Sequence, residues 1–349
     1  MNRSLRVAVI GAGHMGRHHA RIYSELDGCE LVAVVDKEPD RARKIASQFG
    51  GEAHTSMADV AHELDAVSVA VPTVYHAEVA IPLMERGVAV LVEKPLAPDS
   101  RSAKHLLEAC RRCNCLLQVG HSERFNPVVQ AMLRMELTPR FIESHRISPF
   151  TFRSADIGVV FDMMIHDIDI VLHLVKDRDY TIDAVGVSVL GSCEDVANAR
   201  VRFANGAVVN LTASRLALKT ERKIRVFAPT GYVSMDYQKK SGVAIKLADN
   251  LDLIRMAKER NFEDLSQMAS LDFDSMVNIE PLQVDDVEPL RAEIESFLDS
   301  VRTGSAAAVS AEEGYAAVEM AERITNAVRE QDWGRGLQLP PCQGGTEGG

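Results

Sequence analysis

Basic residues are in the minority: 39 Lys plus Arg stand against 50 Asp plus Glu, a formal net charge of -11 at pH 7. An acidic surface excludes a general affinity for nucleic acid or anionic membrane, so any anionic ligand must meet a local basic patch. Long apolar runs are missing too. Nothing approaches the roughly 20 residues that a membrane-spanning helix needs. The opening MNRSLRVAVI runs directly into a strand rather than a secretory apolar segment, so a soluble, cytoplasmic protein is expected. Six cysteines in so long a chain are too few for a disulfide framework. Cys110, Cys113 and Cys115 straddle a helix end and a strand start with no second cluster of suitable partners, and no metal site is expected. No internal repeat occurs.

What is present is enough for two domains: 349 residues, 46% of them hydrophobic. Up to about residue 120, short β-rich apolar runs alternate with helix-like segments. The runs are LRVAVIG (5–11), LVAVVD (31–36), AVSVAV (66–71), VAVLVE (88–93) and LLQVG (116–120). Strands this apolar are covered on both faces, which calls for a parallel sheet with crossover helices, and right-handed crossovers make it doubly wound. Beyond residue 120 the pattern changes. Residues 181–247 read as antiparallel strands, with Asn205 and Gly206 as a two-residue hairpin signal in ARVRFANGAVVNLTAS. Helical periodicity marks 126–135, 161–175 and 289–331. The division predicted is 1–121 for a dinucleotide-binding domain, 122–333 for a mixed second domain, and a disordered Gly- and Pro-rich tail over 334–349.

Gly11, Gly13 and Gly16 form GAGHMG between the first strand and a helix, and Asp36 ends the second strand twenty residues after Gly16. The glycines admit a pyrophosphate close to the backbone, the helix start around His14 and Met15 offers free N–H groups, and the carboxylate takes the ribose hydroxyls. Asp36 would repel a 2′-phosphate, so NAD is the expected cofactor; Lys37 and Arg41 keep NADP as the lesser alternative. Pro72, Thr73 and His76 follow the run 66–71 and line the same crevice in this reading, His76 without a catalytic role.

The run 88–93 ends abruptly in Glu93, Lys94 and Pro95. The carboxyl end of a parallel strand opens on the ligand crevice, which places Lys94 for chemistry beside the nicotinamide. Its pKa would be lowered near that cationic ring. Asp162 and His166 are four apart on one predicted helix and project from one face, the carboxylate orienting an imidazole able to accept an alcohol proton. Asp169 and His173 continue around the same helix as an alternative pair satisfied locally. His121, Glu123, Arg124 and Asn126 are polar residues just past the fifth strand, also at the crevice.

GAGHMG, VEKPLA (92–97) and the Asp162-to-His166 spacing together resemble the glucose-fructose oxidoreductase/inositol dehydrogenase family (Gfo/Idh/MocA), in a layout that covers the chain to about residue 330. The resemblance implies an N-terminal Rossmann domain with a doubly wound parallel sheet, then an α/β domain with a large, mostly antiparallel open sheet. It also implies catalytic roles for Lys94, Asp162 and His166. VGHSERFNPVV (119–129), MMIHDIDIVLHL (163–174) and ANARVRFANGAVVNLTASR (197–215) are similar to UDP-N-acetylglucosamine 3-dehydrogenases, whose 3-keto product a partner aminotransferase converts to a 3-amino sugar for lipid A. The implied substrate is therefore a nucleotide sugar oxidised at C3, with His121, Glu123 and Asn126 placed for its hydroxyls and Arg124, Arg153 and the basic segment RLALKTERKIR (215–225) for its diphosphate. An inositol, a free sugar or a UDP-sugar acid are the alternatives within the class, and a non-catalytic dinucleotide-binding regulator is the alternative outside it. An open sheet face would expose more apolar area than monomers carry, so a homodimer or homotetramer is expected.

Overall fold

A computed structural model describes residues 3–60, 64–151, 157–190, 192–247 and 277–331. Its first half alternates β1 (Leu5–Ile10), α1 (His14–Glu25), β2 (Cys29–Val35), α2 (Pro39–Phe49), β3 (Glu52–His54), β4 (Ala66–Val69), α3 (His76–Met84), β5 (Ala89–Glu93), α4 (Ser100–Cys113) and β6 (Leu117–Gly120). The parallel sheet they form has the order β3-β2-β1-β4-β5-β6. Every residue of β4, β5 and β6 is buried, which is why those segments read as unbroken apolar runs. β3 had no such signal, because it is a three-residue edge strand without a buried position. The strand order reverses direction between β1 and β4, and a doubly wound sheet leaves a ligand crevice at that point, outside the strand ends.

The second half contains α5 (Pro127–Leu133), β7 (Phe141–Ile147), a π turn (Val160–Met164) running into α6 (Ile165–Val175), β8 (Tyr180–Val187), β9 (Val196–Phe203), β10 (Val208–Ser214), β11 (Glu221–Ala228), β12 (Gly231–Asp236), β13 (Ser241–Leu247) and β14 (Val277–Pro281). These strands make an eight-stranded sheet in the order β14-β13-β12-β11-β7-β10-β9-β8. Its pairs are antiparallel except for β7 with β10. The central strand β7 escaped the periodicity reading because its inward positions are Ile142, Ser144 and Arg146, only one of them apolar. The β9–β10 turn also differs from the two-residue hairpin expected. Phe203 and Ala207 close it, leaving three residues between them, and Gly206 alone takes a positive φ of 88°. That is the geometry of a type I turn followed by a left-handed residue, which needs one glycine instead of two positive-φ positions.

The C-terminal helical stretch is divided by Gly304 (φ 70°) into α7 (Pro289–Thr303) and α8 (Ala311–Arg329). Ser310 and Glu313 form a capping box that starts α8. The sequence division assigned 122–333 to the second domain, yet Ile294, Phe297 and Leu298 of α7 share a core with β1, β2 and α1. Helix α8 packs against both halves. A Cβ on Gly314 would lie 2.5 Å from Val119 of β6, while Arg323 donates to the Tyr180 carbonyl of β8 at 2.8 Å. The chain thus returns to clamp the two sheets together. Residues 334–349 lie outside the described part. No described helix is long and apolar enough to cross a membrane.

Candidate active site

The crevice opens where β1, β2, β4, β5 and β6 end. Gly11 (φ 97°) sits so close to the neighbouring strand that a Cβ would meet the Ala70 carbonyl oxygen at 2.5 Å. A Cβ on Gly16 would overlap the Gly11 oxygen at 1.7 Å. Only Gly13 faces open space. Two glycines therefore serve the tight turn and one leaves room for a ligand, which is the division of labour a pyrophosphate cradle needs. Helix α1 begins at His14 without a side-chain cap or an acid in its first turn, so its N–H groups and positive dipole end are uncompensated at the cradle. His14 is exposed and Met15 half-buried at that turn. The Asp36 carboxylate is fixed at the rim by the Ala12 N–H (2.7 Å) and the Glu38 N–H (2.9 Å). The residues present fit a nicotinamide dinucleotide.

Across the cradle, Pro72 is exposed and Thr73 half-buried. His76 does not join them. It is buried, with Nδ1 3.2 Å from the Leu96 carbonyl and Nε2 3.0 Å from that of Val71. Burial lowers its pKa, and the ring ties the α3 entry to the segment after β5 instead of lining the crevice. Glu93 also turns away. Its carboxylate is under the sheet, 2.8 Å from His19 Nε2, and His19 Nδ1 continues to Ser68 Oγ at 2.9 Å, itself 2.7 Å from the Tyr23 hydroxyl. Successive strand residues point to opposite faces, so Glu93 is a floor residue while Lys94 enters the crevice. The Lys94–Pro95 peptide is cis.

Lys94 Nζ donates to the backbone carbonyl of Asp162 at 2.9 Å. That carbonyl belongs to the π turn Val160–Met164, a local irregularity that recurs at functional sites because it re-aims the groups around it. Here it breaks the expected stacking of Asp162 on His166. No hydrogen bond joins the two side chains, and His166 Nδ1 is buried with no partner among the described residues. Sequence spacing treated the segment as a regular helix, in which residues four apart share a face; the i→i+5 turn shifts that phase. His166 and Lys94 feel one another electrostatically: burial, then the Lys94 charge, then Arg146, His121 and Arg222 hold the imidazole well below its usual pKa. Burial likewise pushes the Lys94 ammonium down, against the carboxylates of Asp162 and Glu93 and together with Arg146 and Arg222. His121 completes the cluster, fully buried, with neither ring nitrogen partnered among the described residues. Its pKa is lowered by burial, with the Arg124 and Lys94 charges adding to the shift against the Asp169 carboxylate.

The other described residues expected to contact substrate have partners within the protein. Arg124 grips Asp169 with two bonds of 2.9 and 2.6 Å and reaches Glu313 at 3.0 Å, so its charge locks the β6–α5 turn to α6 and α8. His173 is taken up by Glu313 at 3.1 Å. Asn126 caps α5 through Val128 N–H at 3.2 Å and is almost wholly buried. Glu123 contacts Arg146 at 3.4 Å. Arg153 lies outside the described residues. The basic segment 215–225 splits between two faces. Lys219 and Lys223, with Ile147, Leu218, Asp236 and Lys239, line a cavity of about 610 Å³. Lys223 and Ile147 alternate along their strands with the inward residues Ile224 and Arg146, so this cavity is on the sheet face away from α6.

Sequence reasoning missed Arg146, whose guanidinium holds Asp167 at 2.6 and 3.2 Å beside the site; it rides on the strand that apolar periodicity could not detect. It also missed His19, a helix residue whose partner is 74 positions away. No local signal exists for either.

Two family models match the chain. One, described as an oxidoreductase family with an NAD-binding Rossmann fold, covers residues 5–121, and the other, the GFO/IDH/MocA C-terminal domain, covers 132–234. A UDP-N-acetylglucosamine 3-dehydrogenase from Acidithiobacillus ferrooxidans is 36% identical over 234 residues, spanning 67% of this chain and 74% of that protein. An inositol 2-dehydrogenase from Rhizobium meliloti is 25% identical over 345 residues, 94% of this chain and 98% of its own. The solved structure of the Acidithiobacillus enzyme superposes with a TM-score of 0.81 at 30% identity, covering 93% of this chain and 97% of that one. The dinucleotide cradle, the two-sheet architecture and these relatives agree: the chain is an oxidoreductase of the GFO/IDH/MocA family.

Proposed function

We propose that this enzyme oxidises a secondary hydroxyl of a nucleotide sugar with NAD as the acceptor, and that the reaction is the conversion of UDP-N-acetylglucosamine to its 3-keto form. One observation carries the chemistry: the Lys94 ammonium, from the first domain, is bound to the turn that leads into His166, from the second. Gly11, Gly13, Gly16, the first turn of α1 and Asp36 hold the dinucleotide, and the bound nicotinamide supplies the hydride acceptor. Asp36 favours NAD over NADP, because a fixed carboxylate at the ribose repels a second phosphate.

In this reading, Lys94 donates a hydrogen bond to the reacting oxygen and stabilises it as negative charge develops. His166 is neutral at pH 7 because its pKa is depressed by burial, and it accepts the hydroxyl proton through a ring nitrogen. The Asp162 side chain makes no hydrogen bond to His166; its backbone carbonyl positions Lys94, and its carboxylate charge favours the ammonium form. His121 is buried beside both, with two unused ring nitrogens that suit sugar hydroxyls. On the second sheet's open face, Phe141, Phe227 and Tyr232 form an aromatic row with centroids 5.5 and 4.7 Å apart, which supports self-association into a dimer or tetramer.

The test is NADH production from NAD and UDP-N-acetylglucosamine, with an aminotransferase and amino donor present to remove the ketone, since alcohol oxidation by NAD is uphill near neutral pH. Such a partner enzyme is part of the proposal. The full-length coverage of the inositol dehydrogenase relative makes inositol the competing substrate. Reduction of NAD with myo-inositol, and none with the coupled nucleotide sugar, would replace the present reading with that one.

A further inference from the structure

Several acids beside the site are engaged by basic side chains. Asp167 and Glu123 hold Arg146, Asp169 and Glu313 hold Arg124, and Glu93 holds His19. Arg222 is different. It opens the inward row of β11, followed on the same face by Ile224 and Val226, both fully buried. In the β11–β7 register it stands directly opposite Arg146. Two like charges across an antiparallel pair are unfavourable. For Arg146 the carboxylates of Asp167 and Glu123 offset that cost. The Arg222 side chain has neither a hydrogen bond nor an ion pair with a described residue, and it is exposed. Its backbone is fixed, because the Tyr237 N–H donates to the Arg222 carbonyl at 2.9 Å, and Asn126 reaches the Tyr237 carbonyl from the β6–α5 turn. Its charge reaches the reacting groups, since Arg222 contributes to lowering both Lys94 and His166. An exposed guanidinium on the inward face of the sheet, opposite Arg146 and without an ion-pair partner among the described residues, fits an anionic ligand group.

We propose that Arg222 is the specificity residue that receives a phosphate oxygen of the substrate, and so selects a sugar bearing a diphosphate over a neutral polyol. This rests on the nucleotide-sugar reading above. A guanidinium presents paired N–H donors that match two phosphate oxygens. The lysines of the 610 Å³ cavity are the rival anion site, but they lie on the opposite sheet face, and two of them have acids nearby, Lys223 with Glu221 at 3.4 Å and Lys239 with Asp236 at 3.9 Å.

The experiment is calorimetric titration of the full-length protein with UDP, using wild type, R222Q, R222K and the far-face variant K219Q, alongside the KM for UDP-N-acetylglucosamine in the coupled assay. Charge-assisted bonds of this kind correspond to roughly a 10- to 100-fold change in affinity. R222Q is expected to weaken UDP binding and raise KM by that factor, with part of the loss restored in R222K and none seen in K219Q. NADH fluorescence titration of each variant reports whether the fold and the cradle are intact. Wild-type UDP affinity in R222Q, or the loss appearing in K219Q instead, overturns the role of Arg222 while leaving the nucleotide-sugar reading in place. A wild-type protein that neither binds UDP nor oxidises the UDP-sugar removes that reading, and the role of Arg222 with it.

Discussion

Glu313 offers a quantitative check on the clamp between α8 and the site. Its carboxylate accepts from Ser310 N–H in the capping box, pairs with Arg124 at 3.0 Å and meets His173 at 3.1 Å. Burial works against the charged form, but His173, Arg124 and the Ser310 N–H outweigh it and bring the pKa from 4.5 down to about 2. A carboxylate depressed on folding stabilises the protein above its unfolded pKa, and that contribution is lost as pH falls from about 4.5 through about 2. At about 1.36 kcal/mol per pH unit the contribution is at most about 3.4 kcal/mol. The side chain is 22% exposed, and screening there brings the expected value to about 2 kcal/mol. Glu313→Gln keeps a capping-box acceptor and removes the charge. Urea unfolding at pH 7 should show the variant less stable by about 2 kcal/mol, with the two proteins converging as the buffer is taken from pH 5 towards pH 3. Equal stability at pH 7, or a gap that widens on acidification, would refute the reasoning.

Lys94→Ala should lower kcat by about 10²- to 10⁴-fold, the usual contribution of a positioned acid–base group, while NADH fluorescence titration shows near-normal binding; ordinary turnover would remove Lys94 from the mechanism. Asp162→Asn should be much milder, because the Lys94 contact is to the backbone carbonyl, and a loss equal to that of Lys94→Ala would show that the carboxylate acts directly. Gly16→Ala places a Cβ into the Gly11 carbonyl, so it should cost about 1–3 kcal/mol or more in stability and abolish dinucleotide binding, both measurable by thermal melts with and without NADH. Asp36→Ser should raise the NADP-to-NAD ratio of kcat/KM, and an unchanged ratio would mean that the rim carboxylate does not discriminate.

The sequence alone determined the cofactor half of the molecule. Strands such as 88–93 are buried on both faces, so their apolar runs are continuous, and the glycine turn and Asp36 are read from spacing because strand, turn and helix are contiguous in the chain. It also located Lys94, since a strand end in a parallel sheet has a fixed relation to the crevice. What only the tertiary structure decided was the fate of polar groups whose partners are distant. Arg124, Asn126, His76 and Glu93 look like ligands of a cofactor or sugar until Asp169, Val128, Leu96 and His19 are brought against them. The π turn that uncouples Asp162 from His166, and the alternation that sends Arg222 to one face and Lys223 to the other, depend on how β7, β11 and α6 assemble. A buried charge or hydrogen bond is satisfied in three dimensions, and residue order specifies such pairs only through the fold that brings them together.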